Sequence, residues 1–155
     1  MTPAINCLKK AKIQYQIHQY DHDPASKAYG EEAAEKLNIP FDQIFKTLVV
    51  STNDKDLSVA VVPVSKQLDL KLFAKAIGSK KVKMADKNDV ERTTGYVLGG
   101  VSPIGQKKKL STIIDSSASR FDTVYVSAGH RGLQIELSPK DLSLQTKATY
   151  YEISK

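Results

Sequence analysis

The chain contains no tryptophan, only one cysteine and no long apolar run. The lone Cys7 excludes a disulfide within the chain and leaves no cysteine pair to hold zinc. A reducing cytoplasm is therefore the expected compartment. The longest apolar stretch, Val59 to Val64, includes Pro63 and falls far short of the ~20 residues that cross a bilayer. Met1 to Lys10 lacks the apolar centre of a secretory signal. Histidine is scarce. His18 and His22 are four residues apart, but in a strand-then-loop stretch, so they and His130 read as ordinary surface residues and no metal is expected. No Gly-x-Ser-x-Gly elbow, no Gly-x-x-x-x-Gly-Lys phosphate loop and no Gly-x-Gly-x-x-Gly turn is present, and Cys7 beside Leu8 reads as a packed helical cysteine. Nothing implies a cofactor.

What is present fits one domain spanning residues 1–155, with 41% hydrophobic and 26% charged residues. The net charge of +6 is unevenly spread. Lys66 to Lys109 holds 11 Lys and Arg against 4 Asp and Glu, while the remainder holds 12 against 13. A basic band of this kind suits a polyanion through phosphate neutralisation. It equally suits a solvated lysine-rich surface. A membrane partner is not expected, because no basic amphipathic helix with aromatic anchors is visible.

Spacing predicts a helix from Pro3 to Ala11 capped by Thr2, a strand through Ile13, Tyr15 and Ile17, and a helix from Glu31 to Leu37. Lys46–Ser51 and Leu57–Pro63 read as a hairpin turning at Asn53-Asp54-Lys55-Asp56. A helix carries Leu70, Phe73, Ala74 and Ile77 on one face and stops at Gly78; a strand at Lys81–Met84 and a helix from Asp86 to Arg92 follow. Strands are expected at Thr112–Ile114, Thr123–Ser127, Leu133–Leu137 and Tyr150–Ile153, with a helix from Pro139 to Leu144. Hairpins mixed with helices indicate a mixed α/β (α+β) fold and not a doubly wound parallel sheet.

Three features can carry chemistry. Thr93 to Gly105 and Ser127-Ala128-Gly129-His130-Arg131-Gly132 are glycine-bearing segments whose backbone N–H groups can approach a carbonyl, or simply form tight turns. Lys46 opens the apolar run Thr47-Leu48-Val49-Val50 and either reaches into a half-buried pocket or snorkels to solvent.

These segments occur in the order Phe45-Lys46-Thr47-Leu48, Thr93-Thr94-Gly95-Tyr96, Gly99-Gly100-Val101-Ser102-Pro103-Ile104-Gly105 and Ser127 to Gly132, preceded by Met1-Thr2-Pro3-Ala4 and Ile17 to Pro24 and joined by Gln106-Lys107-Lys108-Lys109. Together they resemble the YbaK/EbsC family of aminoacyl-tRNA deacylases almost end to end. The resemblance implies a mixed, partly barrel-like β-sheet flanked by short helices, like the editing insertion domain of bacterial prolyl-tRNA synthetase. It implies an enzyme that clears cysteine from mischarged tRNA(Pro), with aminoacyl-tRNA and prolyl-tRNA synthetase as partners. A synthetase pocket separates proline from the similarly sized cysteine poorly by burial alone, so a second site is needed. The substrate's own thiol then attacks the activated ester and releases a thiolactone, which accounts for the absent triad.

By the same resemblance, Lys46 orients the terminal adenosine or its phosphate. The backbone of Gly99 and Gly100 meets the aminoacyl carbonyl, and Ser127 meets the amine or ribose. Tyr20 lines the pocket, and Gly129 and Arg131 belong to the substrate-binding segment, Arg131 for phosphate. Gln134 stands where the family's pattern often has an acidic residue, and Ala128 replaces a common glycine. Two alternatives remain open: deacylation of Ala-tRNA(Pro) by water, and a silent tRNA- or synthetase-binding or regulatory protein.

Overall fold

The computed structural model describes residues 1–53 and 56–155, so the centre of the expected hairpin turn, Asp54-Lys55, lies outside the described residues. The chain begins with α1 (Pro3–Lys10), β1 (Gln16–Gln19), α2 (Tyr29–Leu37), β2 (Phe45–Thr52), β3 (Asp56–Pro63) and α3 (Leu70–Ile77). It continues with β4 (Val82–Met84), α4 (Lys87–Thr94), β5 (Ser111–Asp115), a 3-10 turn (Ser116–Arg120), β6 (Val124–Ser127), β7 (Leu133–Leu137), α5 (Pro139–Thr146) and β8 (Thr149–Tyr151). The five-stranded sheet has the order β4-β2-β3-β5-β8, and a three-stranded sheet has the order β1-β7-β6. Pairing is antiparallel except for β3–β5 and β5–β8, which are parallel. The sheets meet where Ile44 bridges Tyr125, with the Tyr125 N–H donating to the Gln43 carbonyl at 3.1 Å. Among the described residues, no helix is long and apolar enough to cross a membrane.

The apolar run at Val59–Val64 follows from burial on both faces, as in central strands generally. Val59 and Val61 point into one core, which gathers α1, Ile114 of β5, and the three-stranded sheet through residues such as Leu8, Val126 and Ile135. Ala60 and Val62 point into a second, where Phe73 of α3 packs with Val50, Ile113 and Ile153. Each fully buried side chain of this size contributes about 1.5–3 kcal/mol. A third cluster seats α2 through Ala33 and Ala34 against Ile39, Ile44 and Val64.

Two expected strands shift. Ile13 lies outside β1, because its N–H donates to the Leu8 carbonyl at 3.1 Å, with Lys12 left-handed at φ 57°. This closes α1 before the chain can extend. At the other end β8 stops at Tyr151. Ile153 instead donates its N–H to the buried Asp115 carboxylate at 3.0 Å, and its carbonyl accepts from the Asp69 N–H at 2.8 Å.

Candidate active site

A cavity of about 510 Å³ opens between the first turn of α2, the start of β2, the β4–α4 junction and the loop at Gly99. Lys46, Gly99, Ser127 and Gln134 all line it. Gly100 and Gly129 do not; Gly129 lies against Tyr96 and Thr2. Tyr20 and Arg131 border a separate, shallower depression of about 390 Å³ with His130 and Gly132.

Lys46 is the second residue of β2, opposite Val62 of β3. It is half-buried and makes no ion pair among the described residues. Lys27 and Lys87 share the wall with it, against the single carboxylate of Glu31. The cavity is therefore net cationic, with walls formed in part by Ile44, Phe45, Leu48 and Val90. Low-dielectric walls of this kind strengthen the attraction for an anion.

Gln134 sits in the middle strand of the small sheet, paired with Ser127 of β6 on one side and His18 of β1 on the other. It is only 8% exposed, and its Oε1 has no hydrogen-bond partner among the described residues. Thr47 Oγ1 is likewise buried and unpartnered. A buried polar group left unpaired costs about 1–3 kcal/mol. Both of these residues line the cavity. Two acceptor-capable oxygens beside a cationic side chain suit a ligand that carries hydrogen-bond donors as well as negative charge.

The rim is held by Arg131. Its Nε and Nη2 donate to the Leu98 carbonyl at 2.9 and 2.6 Å, and its guanidinium lies 4.7 Å from the centroid of the Tyr29 ring. One side chain thus joins the Gly99 loop to the start of α2. Gly99 has φ 86°, and a Cβ there would come within 2.8 Å of the Tyr29 ring. At Gly100 a Cβ would lie 2.6 Å from the His130 Cα, so the absence of a side chain lets the two glycine-bearing segments pack backbone to backbone. Ser127 Oγ accepts from the Gly129 N–H at 3.2 Å. Tyr96, whose hydroxyl donates to the Ile104 carbonyl at 2.7 Å, anchors the Thr93–Gly105 stretch; burial pushes its pKa up to about 12. Burial also raises the Tyr20 phenol, with a smaller contribution from the Glu32 charge.

The expectation that His18 and His22 are ordinary surface residues is corrected. His22 Nδ1 meets Oε1 of the buried Glu32 at 2.6 Å. The Asp23 N–H donates to Glu32 Oε2 at 2.7 Å, and Lys36 Nζ stands 3.2 Å away. Burial pushes the Glu32 carboxyl up, but these donors outweigh it and hold it below the usual carboxylate value. His18 Nε2 meets Glu136 Oε1 at 2.9 Å. Thr47 and Tyr29 line the cavity, and Glu32 lies in the same first turns of α2; the sequence reading assigned none of the three to the site. Glu32, one turn into α2, is in the sequence only one residue of the expected Glu31–Leu37 helix.

A profile of the aminoacyl-tRNA editing domain matches residues 22–143 and so includes every wall of the cavity. This chain is a member of the aminoacyl-tRNA editing domain family. It is 41% identical over 157 residues, covering 99% of this chain and 93% of the other, to an Enterococcus faecalis protein whose name proposes a Cys-tRNA(Pro)/Cys-tRNA(Cys) deacylase, EbsC. It is 26% identical over 147 residues, covering 91% and 87%, to the prolyl-tRNA editing protein ProX of Acetoanaerobium sticklandii. A solved structure described as a proposed trans-editing enzyme for prolyl tRNA synthetase superposes with a TM-score of 0.83 at 22% identity, covering 99% of this chain and 95% of the other. That likeness shows the shared mixed α/β fold.

Proposed function

We propose that this editing-domain protein removes cysteine from mischarged tRNA(Pro), acting beside prolyl-tRNA synthetase in the cytoplasm. The observation that carries the reading is the juxtaposition of Lys46 with the unpartnered Gln134 and Thr47 oxygens in one cavity. The 3′ end of an aminoacyl-tRNA offers phosphate for the lysine. It offers an α-ammonium and a ribose hydroxyl as donors for the oxygens. The whole-length similarity to a protein named for Cys-tRNA deacylation supports the choice of amino acid.

In the proposed reaction Lys46 fixes the terminal adenosine and orients the ester. Gly99 brings backbone close to the aminoacyl carbonyl, Ser127 and Gln134 hold the ribose or amine, and Arg131 secures the rim. The cysteine sulfur attacks its own ester carbonyl. A C–S bond forms, the bond from carbonyl carbon to ribose oxygen breaks, and the thiol proton ends on the ribose hydroxyl. The products are a thiolactone and free tRNA. Holding sulfur and carbonyl in reach contributes the proximity that replaces a protein nucleophile. Alanine and proline lack the thiol and survive.

The test is deacylation of Cys-tRNA(Pro) and Ala-tRNA(Pro), labelled on the amino acid, by wild type and Lys46→Ala. Loss of cysteine alone, abolished in the variant, is expected. Loss of alanine would place the chain with water-dependent deacylases. Loss of neither, with prolyl-tRNA synthetase present, would overturn the reading.

A further inference from the structure

A depression of about 940 Å³, larger than the cavity, lies on the far side of α4 from it. Its floor is the end of β2 at Ser51 and Thr52, and its walls carry the run Lys107-Lys108-Lys109, Asp56 at the start of β3, and Arg92 of α4 paired with Asp89 at 2.5 Å, so the excess positive charge comes from the three lysines. The run is fastened by its backbone: the Lys107 N–H donates to the Thr94 carbonyl at 2.9 Å and the Lys108 N–H to the Thr93 carbonyl at 3.1 Å. All three lysines are exposed and none makes an ion pair among the described residues. Ser51 is shared with a second depression of about 380 Å³ bordered by Lys80, Lys81 and Lys83. The two form a basic path longer than a single phosphate requires.

We infer that this path seats the phosphate backbone of the acceptor duplex of the tRNA whose 3′ end enters the cavity. The inference rests on the reading of aminoacyl-tRNA as substrate. Charge complementarity selects a polyanion. Among the described residues no aromatic side chain lines either depression, which argues against stacked bases and against anchoring in a lipid surface. What remains is sequence-independent contact with a sugar–phosphate backbone. The separation fits. From Lys46 to Ser51 is five residues of β2, about 17 Å at ~3.3 Å per residue. That equals about five stacked nucleotides at ~3.4 Å each. The short single strand at a tRNA 3′ end covers such a distance and brings the first paired phosphates to the lysines.

The experiment measures binding of an uncharged acceptor-stem hairpin RNA across salt concentrations, for wild type and the triple variant Lys107→Gln, Lys108→Gln, Lys109→Gln. A control with the same charge change carries Lys9→Gln, Lys10→Gln and Lys140→Gln, all exposed elsewhere. The first variant should bind about tenfold or more weakly near physiological salt, with the slope of log affinity against log salt reduced by about 3. Its cleavage of a cysteinyl-adenosine ester should match wild type. An equal loss in the control would show a general field and overturn the path. So would an unchanged slope, or a loss confined to binding of anionic phosphatidylglycerol vesicles. Because the hairpin carries no amino acid, this binding result stands even if no ester is cleaved, and the two readings fail separately.

Discussion

Lys46 and Gln134 approach the cavity from different sheets and answer to different physics. Lys46 supplies fixed charge. Lys46→Ala should lower kcat/KM for cysteinyl-tRNA by about 10²-fold or more, the scale of losing one preorganised electrostatic contact, while the thermal midpoint stays unchanged; steady-state deacylation with a melting curve checks both. Gln134 holds an acceptor whose desolvation nothing in the described protein offsets. Gln134→Leu removes that unpaired atom and should leave stability equal or raise it, by up to about 1–3 kcal/mol. The same change should cut kcat/KM by about tenfold or more. Urea titration beside the deacylation assay tests the opposed signs, and a parallel loss of stability and activity would make Gln134 an ordinary core residue. Lys46 is conspicuous in the sequence because charge interrupts an apolar strand. Thr47 is not, since a threonine in a strand looks like any β-former and only the packed fold shows its hydroxyl without a partner.

Among the elements, α2 forms one wall of the cavity with its first turn. The helix is tied to the preceding loop through Glu32, which collects His22, the Asp23 N–H and Lys36. The Glu32 pKa lies below its ordinary 4.5 in the folded chain. The stabilisation is therefore complete above that value and is lost as pH falls through the lower folded value. Stability of the wild type should drop more steeply than that of Glu32→Gln between about pH 5 and pH 3; chemical denaturation at each pH shows whether the slopes differ. At α1, Thr2 Oγ1 accepts from the Ile5 N–H at 3.2 Å while its hydroxyl donates to the Ala128 carbonyl beside Ser127. Thr2→Ala should cost about 1 kcal/mol, within the usual 0.5–2 for a lost cap, measurable as a shift in urea midpoint. α1 is legible from its Thr2 cap, and α2 from its spacing alone, although it begins at Tyr29, two residues before the expected Glu31. The displaced start of β1 was not, because the left-handed turn at Lys12 uses a residue that carries no turn signal.

On the scale of the whole molecule, the two cores on opposite faces of the large sheet divide labour. Ile153 is fully buried with Phe73 in the second core, and neither side chain lines the cavity. Ile153→Ala should lower stability by about 2–5 kcal/mol and leave KM for cysteinyl-tRNA unchanged below the melting transition; denaturation and steady-state kinetics on one sample check this. The hairpin of β2 and β3 could be read from the chain because its partners are neighbours. The parallel pairings β3–β5 and β5–β8, and the meeting of Ile44 with Tyr125, join distant segments. No local pattern encodes them, since register between remote strands is settled by the packed core.

The walls of the cavity come from residues 27–31, 44–49, 84–101 and 127–134, so no single one of these stretches holds them all and the cavity exists only once they are folded together. The run Lys107-Lys108-Lys109, in contrast, is three adjacent charges that exist before any fold forms. An incompletely folded chain therefore retains attraction for RNA while having no means of opening the ester. Release of the aminoacyl group from the tRNA, and not retention on RNA, is the signal that counts finished molecules.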